Sequence, residues 1–209
     1  MTADPAPPAG TSGRGRHQLG MTDVKRLNRG WRRSTQASIS LLLDGVGQPF
    51  NVGSIIRTAA TFGVRQIWLC GDTASPEHPS ARKTALGTDR LISFELAPSA
   101  AAGAQAARDA GFRVVAIELA NEAVPLHEAD LAGDVCLALG NEDHGCSTAL
   151  LTAADLVAYI PQVGKVGSLN VAAAAAVAIA EARRREWERP EGQTQSEGTP
   201  RRPPGTQHN

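Results

Sequence analysis

Short apolar runs alternate with segments of helical periodicity from residue 38 to residue 188. Five of the runs are bounded by turn residues, which is typical of buried strands: 38–45, 66–71, 112–119, 134–142 and 156–162. Helices are predicted at 52–62, 99–111, 147–155 and 168–188, with a short one near 79–86 inside the long connection 74–95. Near-continuous apolar strands that alternate with helices predict an α/β fold, with a mostly parallel sheet and helices on both faces.

The helix predicted over 52–62 contains one unexpected residue. Asn51 is a suitable N-cap because its side-chain oxygen can accept an N–H of the first turn, and Gly63 suits a left-handed C-cap. Arg57 falls outside the apolar stripe, on a face of small residues. The stripe repeats with helical spacing and is predicted to be buried; it comprises Val52, Ile55, Ile56, Ala59 and Phe62.

Both ends of the 209-residue chain differ in composition from its middle. Residues 1–21 and 189–209 are rich in Pro, Gly and polar residues, and they lack the apolar surface that would offset the entropy of ordering them. They are therefore predicted to be disordered tails around one domain, 22–188, which is long enough for a single core. Met21 is an alternative start, because residues 1–20 add nothing to the predicted fold.

Net charge is zero, but the charges are separated along the chain. Residues 37–180 hold 14 acidic and 8 basic side chains, whereas 22–36, predicted as a basic N-terminal helix, hold one acidic and five basic side chains. This arrangement indicates a polyanionic partner such as RNA, and a solvated helix face is the alternative. The candidate RNA-binding residues are Lys25, Arg26, Arg29, Arg32 and Arg33.

Several classes of site are not supported by the sequence. The three cysteines form no CxxC pair, and Cys70 and Cys136 lie in apolar runs, so neither disulfides nor a zinc site is predicted. The five histidines are too scattered for a metal cluster. No GxGxxG follows the first strand and no Walker A sequence is present, which argues against a dinucleotide-binding, Rossmann-type methyltransferase or P-loop site. Without an apolar leader or a membrane-length apolar run, a cytoplasmic protein with no membrane partner is expected.

Three strand ends are chemically unusual, namely DGVGQPFN, LGNEDHG and IPQVGKVGSLN, and ligands of open α/β sheets gather at the carboxyl ends of strands. In LGNEDHG, the glycines allow close backbone approach and Glu142 could read or position a ligand; an exposed acidic turn is the alternative. In IPQVGKVGSLN, Ser168 and Asn170 open an alanine-rich helix whose free N–H groups could bind an acceptor-rich ligand. A plain capped loop is the alternative there.

Three segments taken together resemble the signature motifs of the SpoU/TrmH family of RNA ribose 2′-O-methyltransferases: NVGSIIRTAATFGV, LALGNEDHGCS and IPQVGKVGSLNVAAAAAVAIAEARRR. Their order, spacing and strand context agree with that family over residues 22–188. The resemblance implies the C-terminal trefoil-knotted SPOUT fold, an RNA substrate and S-adenosyl-L-methionine as cofactor. It also implies a homodimer, which the alanine-rich closing helix and the small residues around Arg57 would suit.

The resemblance assigns roles by matching position. Arg57 corresponds to the catalytic arginine, Asn51 to the asparagine beside it and Glu142 to the motif 2 glutamate, while Ser168 and Asn170 match the motif 3 pair. Since all five positions are intact, an active enzyme is expected. The family binds its cofactor mainly through backbone groups of the knotted loops, and Gly140 and Gly167 are expected to leave room for it. The corresponding cofactor-binding positions are Ile117, Gly140, Ile160 and Leu169.

Two roles are open for Arg57, because a ribose 2′-hydroxyl must lose its proton as it attacks the methyl group. In the mechanism proposed for the family, the arginine is deprotonated with help from the substrate phosphate and acts as the base. However, arginine has a pKa above about 12, and a phosphate favours its charged form. A bidentate clamp on the phosphate that orients the ribose is the alternative.

The RNA is predicted to be tRNA or rRNA, with a slight preference for tRNA. Family members act on a D-loop guanosine of tRNA or on rRNA, and the ribosomal enzymes often carry a separate N-terminal RNA-binding domain. This sequence offers the basic segments DVKRLNRGWRRST and EARRREWER, a layout closer to the tRNA enzymes, although SARKTALGTDR differs from them. A non-catalytic RNA-binding protein on the same fold and a tRNA guanine-N1 methyltransferase are the alternatives.

Overall fold

The computed structural model describes residues 16–188, so the tails predicted to be disordered lie outside the described residues except for 16–21. The chain divides into two compact units, one up to Gln36 and one from Ala37 onward. The first unit contains the predicted basic helix, α1, over Met21–Ser34. None of its residues is buried, and all five of its cations are exposed.

The second unit is built on a seven-stranded sheet in which every pairing is parallel. Its strands are β1 (Ile39–Asp44), β2 (Gln66–Cys70), β3 (Ser93–Ala97), β4 (Arg113–Ile117), β5 (Val124–Pro125), β6 (Val135–Leu139) and β7 (Leu156–Tyr159). They lie in the order β3-β2-β1-β6-β4-β7-β5. The predicted parallel sheet is therefore confirmed, with β1 and β6 paired along their length near its centre.

Helices cover both faces of the sheet, as predicted. α2 and α6 contribute to the apolar cluster on one face, whereas α4 and α5 contribute to the cluster on the other. A 3-10 helix over Thr88–Leu91 follows α3. The helices of this unit are α2 (Pro49–Thr61), α3 (Pro79–Ala85), α4 (Ala100–Asp109), α5 (Thr148–Ala153) and α6 (Val171–Trp187).

The five predicted strands are confirmed, and the two strands that the pattern missed are the two edges of the sheet. β3 falls at the end of the segment predicted as a long connection, and three of its five side chains are exposed. β5 is two residues long. An edge strand has one neighbour and fewer buried side chains, so it leaves a weaker apolar signal.

The starts of two helices differ from the prediction. α2 begins at Pro49 with Gln48 as its N-cap, so Asn51 lies inside the first turn and does not cap the helix. Pro is favoured at that start because it has no N–H to satisfy. α6 begins at Val171, and its N-cap is Asn170 while Ser168 lies further out. The predicted left-handed Gly63 (φ 76°) and the buried stripe of α2 are confirmed, with Phe62 half-buried.

Gly53 explains why small residues accompany Arg57 on α2. A Cβ on Gly53 would lie 2.2 Å from the carbonyl oxygen of Ala81 and 2.8 Å from the Cβ of Thr84. The backbones of α2 and α3 therefore touch at this point, which only glycine permits. Because the small face packs within the chain here, it gives no support to the expected dimer.

The arginines of the basic segment EARRREWER make contacts within the fold, and Arg183 makes the most buried of them. Its side chain is 3% exposed, with Nη1 donating to the carbonyl of Ala37 and to Glu186, and Nε donating to the carbonyl of Phe62. The two following arginines, Arg184 and Arg185, form ion pairs with Glu181. These arginines stabilise α6 and anchor it to the domain.

The trefoil knot stays a prediction.

Within residues 16–188, no helix is long and apolar enough to cross a membrane.

Candidate active site

A cleft of about 470 Å³ lies at the carboxyl ends of β4, β6 and β7. The loops that follow these strands line it, together with the first turn of α6. Its volume is in the range of small-molecule sites. All four predicted cofactor-binding positions line it, namely Ile117, Gly140, Ile160 and Leu169.

Three of the predicted catalytic residues are joined by hydrogen bonds beside this cleft. Asn51 Nδ2 donates to Glu142 Oε1 at 2.8 Å, and Asn51 Oδ1 accepts from Asn170 Nδ2 at 3.0 Å. Asn170 Oδ1 in turn accepts the N–H groups of Ala172 at 2.9 Å and Ala173 at 3.3 Å, and thereby caps α6. This polar chain, Glu142–Asn51–Asn170, unites the three signature segments.

The carboxylate of Glu142 lies at the N-terminus of α2. It accepts the N–H of Gly47 at 3.0 Å and that of Gln48 at 3.1 Å, where the helix carries partial positive charge. Burial by itself raises the pKa of Glu142, but hydrogen bonds from Asn51 and from backbone N–H groups outweigh it and hold the pKa below its usual range. A carboxylate that is ionised and engaged in this way is poorly suited to accept a proton. Its geometry favours a positioning role.

Gly140 is required by the turn that follows it. A Cβ on Gly140 would lie 2.1 Å from the carbonyl carbon of Gly145 and 2.2 Å from the nitrogen of Cys146. Asn141 and Gly145 exchange two backbone hydrogen bonds of 2.9 Å, which closes the turn on itself. Glycine at 140 therefore makes room for the turn, whereas a Cβ on Gly167 would meet nothing within 4 Å.

Two polar residues that the sequence prediction missed hold the walls of the cleft together. Asn141 Nδ2 donates to the carbonyl of Gly45 at 2.7 Å, which ties the turn to the end of β1. Glu118 follows β4, and its Oε2 accepts the N–H of Cys146 at 2.8 Å while its Oε1 accepts that of Leu119 at 2.8 Å. Their position within one or two residues of an apolar strand is the signal that could have identified both.

The loop 161–169 forms a wall of a different kind. All its residues are exposed, and none makes a hydrogen bond to another described residue. Gln162, Gly167, Ser168 and Leu169 line the cleft, so their peptide groups and the Ser168 hydroxyl are available to a ligand. This wall suits recognition through backbone groups.

Arg57 lies on the helix that starts at this site, about 9 Å further along the axis than Asn51. It is exposed and is not among the residues that line the cleft. Its guanidinium makes no hydrogen bond or ion pair with any residue in the described part of the chain. The structure therefore leaves this charge available to an anion.

The predicted RNA-binding residues lie on α1, in the other unit. Arg26 forms an ion pair with Asp23 at 3.1 Å, and both side chains are largely exposed. Such a pair contributes little to stability. The other members of the set are exposed as well, namely Lys25, Arg29, Arg32 and Arg33.

The three cysteines are buried free thiols. Burial, together with the nearby charge of Asp44, raises the pKa of Cys70 to about 12, and burial raises that of Cys136 to about 12. Thiols of this kind stay protonated at neutral pH and are poor nucleophiles. Within residues 16–188, no group of three or more His, Cys, Asp or Glu side chains could hold a metal ion.

Comparison with known proteins identifies the family. The sequence model of the SpoU rRNA Methylase family matches residues 38–180, which is more than half of the chain. The chain belongs to this family. The match contains all three residues of the polar chain, Asn51, Glu142 and Asn170.

The relatives of this chain include enzymes named for rRNA and enzymes named for tRNA. The chain is 32% identical to the 23S rRNA (guanosine-2′-O-)-methyltransferase RlmB of Acinetobacter baylyi over 72% of its own length and 61% of that protein. It is 31% identical to the tRNA (guanosine(18)-2′-O)-methyltransferase of Thermus thermophilus, over 73% of its own length and 77% of that protein. The chain thus spans about three fifths of the ribosomal relative.

Solved structures of the family show the same fold. An AdoMet-bound rRNA methyltransferase from Sinorhizobium meliloti matches with a TM-score of 0.67 and 35% identity, over 72% of this chain and 57% of that one. The SpoU methyltransferase AviRb from Streptomyces viridochromogenes, in complex with AdoMet, matches with a TM-score of 0.65 and 28% identity, over 75% of this chain and 64% of that one.

Proposed function

We propose that this SpoU-family chain is an S-adenosyl-L-methionine-dependent methyltransferase that acts on a ribose 2′-hydroxyl of RNA. The observation that carries this proposal is the polar chain Glu142–Asn51–Asn170, which brings the three signature segments together at the edge of one cleft. The names of the relatives from Acinetobacter and Thermus, both guanosine-2′-O-methyltransferases, support it.

The cleft fits the proposed cofactor. Its volume of about 470 Å³ suits a small molecule, and the exposed peptide groups of loop 161–169 offer donors and acceptors for backbone recognition. The AdoMet-bound neighbours from Sinorhizobium and Streptomyces support this assignment. When bound, the cofactor supplies an electrophilic methyl group.

The residues of the chain would then share the remaining work. Glu142 and Asn51 hold the start of α2 against α6, and Asn170 presents the first turn of α6 to the cleft. Ser168, exposed and without a partner in the described chain, can hydrogen-bond to a ligand. Arg57 either binds the substrate phosphate through its charged guanidinium or, in its deprotonated form, accepts the proton of the ribose 2′-hydroxyl.

Transfer of a labelled methyl group to RNA tests the proposal. The purified chain is incubated with methyl-labelled S-adenosyl-L-methionine and either total tRNA or total rRNA, and the labelled nucleotide is mapped. We expect a single ribose 2′-O-methylated nucleotide, in tRNA or in rRNA. Label on a guanine base would identify the guanine-N1 alternative, and RNA binding without transfer would identify a non-catalytic RNA-binding protein.

The proposed active form is a homodimer with isologous symmetry. An apolar groove of about 520 Å³ beside α6, lined in part by Leu126, Pro161 and the 42% exposed Val177, supports it as a surface that a second copy could cover. Sedimentation at micromolar concentration should give twice the mass of one chain. A monomer would contradict the proposal.

A further inference from the structure

The two packed helices α2 and α3 carry positive charges and no negative ones. α2 contains Arg57 as its single charged residue, and α3 contains Arg82 and Lys83. All three side chains are exposed, and none forms an ion pair with another described residue. By contrast, the arginines at the end of α6 are paired with glutamates of the same helix.

The close packing at Gly53 brings together the two helices that carry these cations. The backbone of α2 touches α3 between Ala81 and Thr84, and Arg82 and Lys83 are the two residues between those contacts. Arg57 is four residues after Gly53, so it lies about 6 Å further along the same face of α2. Arg57 therefore lies one helical turn beyond the point where α2 meets α3, and the exposed side chains of these two packed helices form the α2–α3 surface.

The next segment extends this surface without neutralising it. The 3-10 helix after α3 packs against α2 and carries exposed Arg90, whose Nε donates to the carbonyl of Gly87 at 3.2 Å. The nearest acidic residues in sequence are Glu77, before α3, and Asp89. Neither forms an ion pair with these cations. The segment 77–90 and α2 together hold four Arg or Lys and two acidic residues.

We propose that this α2–α3 surface, comprising Arg57, Arg82, Lys83 and Arg90, binds the phosphate backbone of the RNA substrate and guides the target ribose to Arg57. Unpaired, exposed Lys and Arg side chains bind phosphates by displacing counterions from the RNA. The proposal rests on the proposed function, because it names the surface that the RNA contacts. The alternative is that these charged side chains are solvated and do not bind RNA.

Salt dependence of RNA binding tests the proposal. The double variant Arg82→Ala/Lys83→Ala removes two positive charges from this surface. The control, Ala101→Glu/Gln105→Glu, also changes the charge by two, but both residues are exposed on α4, which packs on the other face of the sheet from α2. Binding of the RNA pool that accepts methyl groups is measured by filter retention over a range of salt concentrations.

Log affinity falls as log salt rises, and we expect this fall to be less steep in the double variant, by about 0.7–0.9 for each phosphate that the protein no longer binds. The KM for RNA should rise. Affinity for S-adenosyl-L-methionine and kcat at saturating RNA should stay at the wild-type values. Single variants at Arg82 and Lys83 should each give part of the change, and circular dichroism checks that all variants fold.

Equal slopes for the wild type, the double variant and the α4 control would overturn the proposal. A change in slope as large in the α4 control as in the double variant would overturn it too, since it would show a general charge effect. If the wild-type chain methylates no RNA, the proposed function fails instead, so the two failures are distinguishable.

Discussion

Glu142 shows how one residue can combine burial, hydrogen bonding and helix charge. Its carboxylate receives N–H groups at the start of α2 and the amide of Asn51, and these outweigh the burial that would otherwise favour its neutral form. Resemblance placed it among the catalytic residues, but its contacts favour a structural task. It holds α2, and with it Asn51, in place beside the cleft.

Replacement of Glu142 by Gln should lower stability at neutral pH, because the new amide would direct an N–H toward backbone donors. A carboxylate whose pKa is depressed on folding contributes stability above its unfolded pKa, and this contribution is lost as the pH falls through the folded value. The difference in Tm between wild type and Glu142→Gln should therefore be largest near neutral pH. It should shrink as the pH falls below 4.5, which is the ordinary pKa of a glutamate side chain.

Thermal unfolding from neutral pH down to about pH 3 measures this difference. The control is Glu95→Gln on β3, an exposed carboxylate with no partner in the described chain, whose Tm should follow the wild type throughout. A difference for Glu142→Gln that does not change with pH would contradict the assigned cause.

Arg57→Ala should abolish methyl transfer and leave Tm almost unchanged, because the guanidinium has no partner in residues 16–188 and Ala is a good helix former.

Arg57→Lys separates the two roles. Lysine lacks the planar two-point fork but is easier to deprotonate. A base predicts partial activity that rises with pH, and a clamp predicts a loss close to that of alanine at every pH, both measured with labelled cofactor. Wild-type activity in Arg57→Ala would refute both roles.

Among the elements, Glu118 joins the loop after β4 to the turn after β6. Both of its carboxylate oxygens accept backbone N–H groups, which a glutamine cannot reproduce because one oxygen becomes a donor. Glu118→Gln should therefore loosen the cleft and raise KM for S-adenosyl-L-methionine about tenfold, which corresponds to about 1.4 kcal/mol, with a smaller effect on kcat. Steady-state kinetics with varied cofactor measures both constants, and an equal loss in Glu95→Gln would contradict this role.

The contact between α2 and α3 gives a second prediction at this scale. Gly53→Ala should destabilise the domain by about 1–3 kcal/mol, because its Cβ would lie 2.2 Å from the carbonyl oxygen of Ala81 and the helices would have to separate. Gly30→Ala in α1 is the matched control, since nothing lies within 4 Å of its Cβ and alanine is the better helix former. Denaturant unfolding measures both, and equal stabilities would show that the helices shift at little cost.

For the molecule as a whole, the separation of charge predicts how RNA is held. Neutralising the five cations of α1 together should weaken RNA binding, while cofactor affinity stays constant. The fall of log affinity with log salt should become less steep, by up to about 0.7–0.9 for each phosphate that is no longer bound. The changed residues are Lys25, Arg26, Arg29, Arg32 and Arg33. Filter binding at several salt concentrations checks this, and an unchanged slope would show that α1 is only a solvated helix.

The sequence by itself determined the features that depend on neighbours a few residues apart. The five inner strands follow from apolar runs, and the buried stripe of α2 follows from helical spacing. The left-handed Gly63 and the exposure of Arg57 were predictable for the same reason. Three short motifs also indicated which strand ends would meet.

The tertiary structure decided what depends on residues far apart in the chain. Asn51 looked like a local cap, but it bonds to residues 91 and 119 positions away, because β1 pairs with β6 and α6 packs against α2. Likewise, Gly53 is required because α3 packs against it, and Arg183 is buried because it binds the carbonyl of Ala37, just before β1. Such contacts arise from packing between elements, so no periodicity within one segment records them, and the edge strands were missed because they lack a second neighbour.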